Sequence, residues 1–315
     1  MKLVNDLSSP PWLGRRAVIT IGAYDGVHQG HRAVIDHVKA RAAELDAVSA
    51  VVTFDRHPAS VVRPDSAPRL LTDPDQKLEL LAETGIDACV VVPFDAEQAA
   101  ESPESFVTRV LVDTLGTQLI VVGDDFHFGR DRAGNVDLLR KIGAEADFDV
   151  EPLDLIPRAD GVDEPISSTA IRRALAGGDI TRANELLGRL FEVRGPVMQG
   201  DQRGRLLGFP TANVQVPPDT CFPADGVYAG WYERPDGTVY PSAINVGRRP
   251  TFYEHAETPS VEAHLIDFDG DLYGEPAKVR FAHFLRSERK FDGVDALIAQ
   301  LATDIDRSRE LLAER

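Results

Sequence analysis

Along the first part of the chain, short unbroken apolar runs alternate with segments whose apolar residues recur every three or four positions. The runs fall at residues 17–21, 48–54, 88–93 and 119–122, and the helical periodicity falls between them, at 32–45, 76–84 and 105–115. A strand that is apolar on both sides needs cover on both sides, so this alternation predicts a parallel sheet with helices on either face. In such sheets ligands gather outside the carboxyl ends of the strands. Helical patterns continue at 169–176 and 179–187, the first stopped by Gly177-Gly178 and the second by Gly188.

After Gly188 the helical period disappears. Short β-rich runs take over at 191–194, 226–232, 239–246, 261–268 and 277–285, separated by turn residues such as Pro235-Asp236-Gly237. Five or six such strands predict a small antiparallel barrel, and one helical pattern at 294–312 closes the chain. The change of pattern divides the molecule into an α/β part, 1–187, and a β part, 188–315, with no internal repeat between them.

Composition narrows the function. A chain of 315 residues, 43% hydrophobic and 27% charged, suits two folded domains that each bury a core. The net charge is −17, with 19 basic and 31 acidic residues up to Leu187 and 15 and 20 after it. Neither part offers the basic stripe of a nucleic-acid surface. A phosphate ligand must therefore be held by backbone dipoles, a few arginines and a metal. The two cysteines, Cys89 and Cys221, make no disulfide framework and read as reduced residues of a cytoplasmic protein. No signal peptide is recognised, and no apolar run approaches ~18 residues, so neither export nor a membrane is expected.

The densest chemistry comes after the first apolar run, in Gly22-Ala23-Tyr24-Asp25-Gly26-Val27-His28-Gln29-Gly30-His31. A strand, a tight turn and a helix start in succession gather backbone N–H groups at the positive end of a helix dipole, which suits a phosphate. His28 and His31, three apart, share one face of that first turn. Neither GxxxxGK[ST] nor GxGxxG accompanies them. The second run delivers Phe54-Asp55-Arg56-His57-Pro58 and the fourth Gly123-Asp124-Asp125-Phe126-His127-Phe128-Gly129. Phe54, Phe126 and Phe128 there are either ordinary core aromatics or faces for a planar ring. Ile166-Ser167-Ser168-Thr169-Ala170-Ile171-Arg172 reads as a capped helix start, with Arg172 one turn in and able to reach a phosphate.

The second part concentrates its glycines at 195–213, where Gly200, Gly204 and Gly208 let backbone approach a ligand. Thr211 and Asn213, two apart on an extended stretch, point to one side and present hard oxygens suited to Mg²⁺ with nucleotide phosphates. Glu262 stands in an apolar strand, where a carboxylate is either paired or catalytic; His264 beside it reads as structural.

Taken together these motifs resemble the family of bifunctional bacterial riboflavin kinases and FMN adenylyltransferases, the FAD synthetases. His28-Gln29-Gly30-His31 and Ile166-Ser167-Ser168-Thr169-Ala170-Ile171-Arg172 are similar to the HxGH and ISSTxIR signatures of nucleotidylyltransferases, and the glycine-rich 200–213 segment to the flavokinase signature. The resemblance implies that FMN attacks the α-phosphate of ATP in the first part, with His28, His31 and Arg172 on the phosphates. It implies FMN and nucleotide contacts at Gly22, Tyr24, Asp25, Gly30, Phe54, His57, Asp125, Phe126, Phe128, Ser168 and Thr169. Asp125 departs from the asparagine of some members, which weakens its implied hydrogen-bonding role. In the second part it implies that Glu262 is the general base toward riboflavin. It also implies that Thr211 and Asn213 hold Mg²⁺ and that Gly200, Gly204, Arg205, Gly208, Asn245 and Arg248 contact the substrates. Riboflavin, FMN and ATP are then the partners, in a monomer or weak homo-oligomer. Two rival readings are a flavokinase with an idle first domain and a flavin sensor without turnover.

Overall fold

A computed structural model describes residues 1–12, 14–153, 165–200, 203–248 and 259–313, without the side chains of Arg203, Arg205, Arg248 and Pro259. The chain packs as two compact units, Met1–Ser167 and Ser168–Arg315.

The first unit is a six-stranded parallel sheet of β1 (Lys2–Val4), β2 (Ala17–Ile21), β3 (Val48–Phe54), β4 (Ala88–Val92), β5 (Thr117–Gly123) and β6 (Asp149–Leu153), in the order β1-β4-β3-β2-β5-β6. The four expected strands are its centre. The edge strands β1 and β6 are not legible in the sequence, one being three residues long and the other carrying two acids and Pro152. Alternate residues of β2 feed two cores: Ala17, Ile19 and Ile21 on one face, and Val18 with Ile35, Val38 and Ala42 of helix Gln29–Glu44 on the other. From β2 the chain winds to β3 and β4 on one side and to β5 and β6 on the other. That reversal opens a crevice at the carboxyl ends of β2 and β5. The helix expected at 105–115 begins as Pro103–Phe106 and continues with π-helical turns over Val107–Thr114.

The second unit opens with helices Ser168–Ala176 and Ile180–Leu187, which pack against each other and, through the second helix, against the barrel. Asn184 fastens that helix in place: its Nδ2 donates to the Phe281 carbonyl at 2.9 Å and its Oδ1 accepts from Phe191 N at 2.7 Å. By packing, the division thus falls ahead of the change in sequence pattern after Leu187. Six antiparallel strands close the barrel: β7 (Phe191–Met198), β8 (Ala212–Val214), β9 (Gly226–Glu233), β10 (Val239–Arg248), β11 (Pro259–Leu265) and β12 (Pro276–Arg286), in the order β10-β11-β8-β7-β12-β9. Phe191, Tyr228, Tyr232, Ile244, Val261 and Phe281 fill it. Pro235-Asp236-Gly237 makes the expected β9–β10 turn, with Asp236 Oδ1 accepting from Thr238 N at 2.9 Å. The helix Val294–Ala313 lies against β9, β10 and β12.

Candidate active sites

In the first unit, β2 ends at Ile21 and the loop after it is bent by positive φ at Tyr24, Gly26 and Val27. A β-branched residue at φ 38° is strained, and such strain persists only where surrounding contacts impose it. Those contacts are visible. The buried Asp25 carboxylate accepts from Leu71 N at 2.9 Å and Thr72 N at 3.2 Å, and Gly26 N donates to Thr72 Oγ1 at 3.2 Å. Tyr24 donates its hydroxyl to Thr20 Oγ1 at 2.8 Å, and burial raises the pKa of that phenol.

His28 caps the helix Gln29–Glu44: its Nδ1 accepts from His31 N at 3.3 Å. A ring nitrogen that accepts carries no proton, so the neutral His28 tautomer presents Nε2–H as a donor. The His28 and His31 rings stack with centroids 3.6 Å apart, and Tyr24 packs on His31 at 4.8 Å. Gly30 suits a close approach, since a Cβ there would crowd the Ile166 carbonyl at 3.1 Å and the His28 ring at 3.2 Å. His57 repeats the capping device on helix Pro58–Val62, its Nδ1 accepting from Ala59 N at 3.1 Å.

A cleft of about 600 Å³ opens at these strand ends. Gly22, Phe54, Phe126 and Phe128 line it as expected, and Phe94 and Phe106 join them. Phe126 and Phe128 stack at 5.5 Å, and Phe94 meets Phe54 edge-on at 5.2 Å. Phe94 follows the apolar run 88–93 and Phe106 belongs to the helical pattern 105–115, so the sequence marks both as apolar positions without marking them as part of a cleft. Arg130 and Arg132 also reach the cleft, whereas Asp125 is exposed and lies outside its lining. Ser168, Thr169 and Arg172 open the first helix of the second unit.

In that unit β8, β11 and β10 are neighbours, and their register sets Asn213, Glu262 and Asn245 in one row. Val261 and Ala263 point into the barrel, so Glu262 and His264 face outward, where the C-terminal helix covers the wall. Two cavities meet there. One of about 320 Å³ is lined by Gly200, Pro210, Asn213, Phe268 and Tyr273. The other, about 620 Å³, is lined by Gly204, Asn245, Glu262, Arg286, Phe291 and Asp304, and Thr211 borders both. His264 Nδ1 donates to the Pro210 carbonyl at 2.8 Å, which steadies the residue before Thr211. Gly208, in the turn ahead of β8, has a positive φ. The side chains of Arg205 and Arg248 lie outside the described residues.

Thr211 and Asn213 fit a hard cation. A Cβ on Gly200 would come within 2.5 Å of Asn213 Nδ2 and 2.7 Å of its Oδ1, so glycine is what lets the backbone pack against that amide. Among the described residues no three His, Cys, Asp or Glu gather around one point. A hydroxyl and an amide oxygen leave most of a cation's coordination to water and phosphate, which is the habit of Mg²⁺.

The larger of these two cavities is latched by Arg286. Its Nε and Nη2 bond Asp304 of the C-terminal helix at 3.0 and 2.6 Å, and Gln300 Nε2 adds a bond to Asp304 at 2.7 Å. The Arg286 and Arg289 guanidinium groups lie 5.8 and 5.0 Å from the Phe291 ring centre. Only the complete fold brings these residues together.

Residues 12–170 match the family described as FAD synthetase, and residues 187–312 the family described as riboflavin kinase. A bifunctional riboflavin kinase/FMN adenylyltransferase of Pseudomonas fluorescens is 39% identical over 313 residues, covering 99% of this chain and 98% of that protein. One from Listeria monocytogenes is 36% identical over the same shares. A crystal structure described as a macrolide-efflux protein from Streptococcus pneumoniae superimposes with a TM-score of 0.85 at 28% identity, covering 98% of both chains. Among the described residues no helix is long and apolar enough to cross a membrane.

Proposed function

The chain belongs to the family of bifunctional riboflavin kinases and FMN adenylyltransferases, and we propose that its two reactions are carried by the two sets of residues just described. Riboflavin and ATP give FMN and ADP in the barrel. FMN and a second ATP give FAD and pyrophosphate at the parallel sheet.

For the kinase, one observation carries the reading: Glu262 lines the larger cavity, its register partner Asn213 the smaller, and Thr211 both. Riboflavin occupies the larger and ATP the smaller, so the ribityl 5′-hydroxyl and the γ-phosphate meet beside Thr211. Glu262 takes the hydroxyl proton as the oxygen attacks. Asn213 and Asn245 flank Glu262 in the register, and Asn245 Nδ2 donates to Glu288 Oε1 at 3.4 Å. Thr211 Oγ1 and Asn213 Oδ1 would hold Mg²⁺, which when bound neutralises charge on the transferring phosphoryl group. His264 acts through the Pro210 carbonyl and positions Thr211.

For the adenylyltransferase, the isoalloxazine ring lies in the aromatic cleft among Phe54, Phe126 and Phe128. The attacking group is already an anion, so the protein supplies alignment and charge stabilisation rather than a nucleophile. His28 Nε2–H, His31 and the open helix N-terminus face the α-phosphate. Arg172, Ser168 and Thr169 keep a pyrophosphate role in this reading by their similarity to the ISSTxIR signature alone. Asp25 and Tyr24 hold the loop in shape, and Gly22 and Gly30 allow substrate and ring to approach. His57, Asp125, Gly204, Gly208, Arg205 and Arg248 complete the substrate contacts. The functional boundary is drawn at 187/188, between the helical pair and β7. A cytoplasmic location agrees with two buried free cysteines, and the protein acts as a monomer or weak homo-oligomer in this reading.

The test is a time course with riboflavin, ATP and Mg²⁺, separating the flavins by chromatography. FMN rising and then yielding to FAD supports both assignments. FMN without FAD refutes the adenylyltransferase assignment; no conversion refutes the kinase assignment, and the same assay with added FMN then decides the other.

A further inference from the structure

Lys77 stands where its helix position and its withdrawal from water disfavour a cation. It occupies the first turn of helix Pro74–Glu83, next to the positive end of the dipole, and that turn is capped by Asp73. The side chain is largely withdrawn from water, which lowers its pKa, so neither its helix position nor its burial favours a cation. A lysine kept against both costs marks a position with another task.

The contacts of Lys77 define that task. Lys77 Nζ donates to the Phe54 carbonyl at 2.8 Å and to Thr53 Oγ1 at 3.4 Å. Thr53 Oγ1 in turn donates to the Ala23 carbonyl at 3.2 Å. The groups facing the ammonium are the carboxylates of Asp25 and Asp55 and the thiol of Cys89 on β4. Ala23 comes directly after Gly22 in the loop leading to His28, and Phe54 ends β3. Both line the aromatic cleft, and Lys77 does not. The ammonium bonds the aromatic end of β3 directly and is linked to the loop after β2 through the Thr53 hydroxyl, which donates onward to Ala23; beside this relay the Gly22 N bond to the Val52 carbonyl joins the same loop to β3.

We infer that Lys77 is a positioning residue of the adenylylation site, holding Ala23 and Phe54 at the spacing that bound FMN requires. The inference rests on the assignment of FMN adenylylation to the first unit. It concerns geometry and assigns Lys77 no contact with substrate.

The test uses the full-length protein with Lys77→Met and Lys77→Arg, measuring kcat and KM for FAD formation from added FMN, with riboflavin phosphorylation as an internal control. In Lys77→Met, KM for FMN rises about tenfold and kcat falls, while riboflavin phosphorylation stays within about twofold of wild type. Lys77→Arg, which keeps a buried cation and donor, recovers most of the loss. Partial unfolding alone would lower apparent kcat at constant KM, so an unchanged KM for FMN overturns the inference whatever kcat does. Failure of arginine to recover any of the loss also overturns it. A wild-type protein that made no FAD from FMN would overturn the underlying assignment and the inference with it, whereas an active wild type with an unchanged variant KM overturns the inference alone.

Discussion

Asn213 and Glu262 are register partners across β8 and β11, yet they line different cavities. In the proposed kinase site this strand pair is the partition between the two substrates, and removal of Glu262 tests it directly. Glu262→Ala lowers FMN formation from riboflavin by about 10²–10⁴, the usual worth of a general base, while FAD formation from supplied FMN persists. Equal loss of both activities would contradict the division of labour.

Chelation of divalent metal stops riboflavin phosphorylation, and Thr211→Ala raises the Mg²⁺ concentration needed for half-maximal rate by about tenfold. A variant with wild-type Mg²⁺ dependence would remove Thr211 from the cation site.

His28 both caps a helix and faces the proposed phosphate site, and asparagine separates the two roles. Asn is a good N-cap, so His28→Asn keeps the melting temperature close to wild type. Without the imidazole donor, FAD formation falls by about 10²–10³ and FMN accumulates from riboflavin. Retained FAD synthesis would reduce His28 to a structural cap.

The side chain of Asp304 is only 6% exposed and accepts the fork of Arg286. Asp304→Ala strands a partly buried guanidinium, at a cost on the order of 3 kcal/mol, and loosens the helix over the flavin cavity. The expected readouts are a lower denaturant midpoint and a raised KM for riboflavin at unchanged KM for FMN in FAD synthesis.

Burial pushes the Cys89 thiol up to about 11, against an ordinary value of 9.0. The unfolded chain loses this proton first, so the folded state is favoured fully below pH 9 and less as pH rises toward 11. The window is worth about 2–3 kcal/mol at most. Urea midpoints measured from pH 8 to the highest tolerated pH should fall more steeply in wild type than in Cys89→Ala. Parallel slopes would show that the thiol contributes nothing.

Much of the molecule is legible in the sequence alone. Apolar runs mark β2 to β5, and the switch from helical to alternating pattern marks the barrel, because both report which faces are buried within a few residues. The motif residues His28, Phe54, Phe126, Thr211, Asn213 and Glu262 are legible for the same reason, each lying beside a strand end or on a strand. The tertiary structure decided what depends on partners far apart in the chain. It placed β1 beside β4, aligned Asn213 with Glu262 and Asn245, and joined Arg286 to Asp304. It also turned His264 toward Pro210, 54 residues away, and Lys77 toward Phe54. Local periodicity fixes the exposure of a residue, since exposure follows from its own element. Its partner is fixed only when two elements pack, because the hydrogen bond that selects it exists only between them.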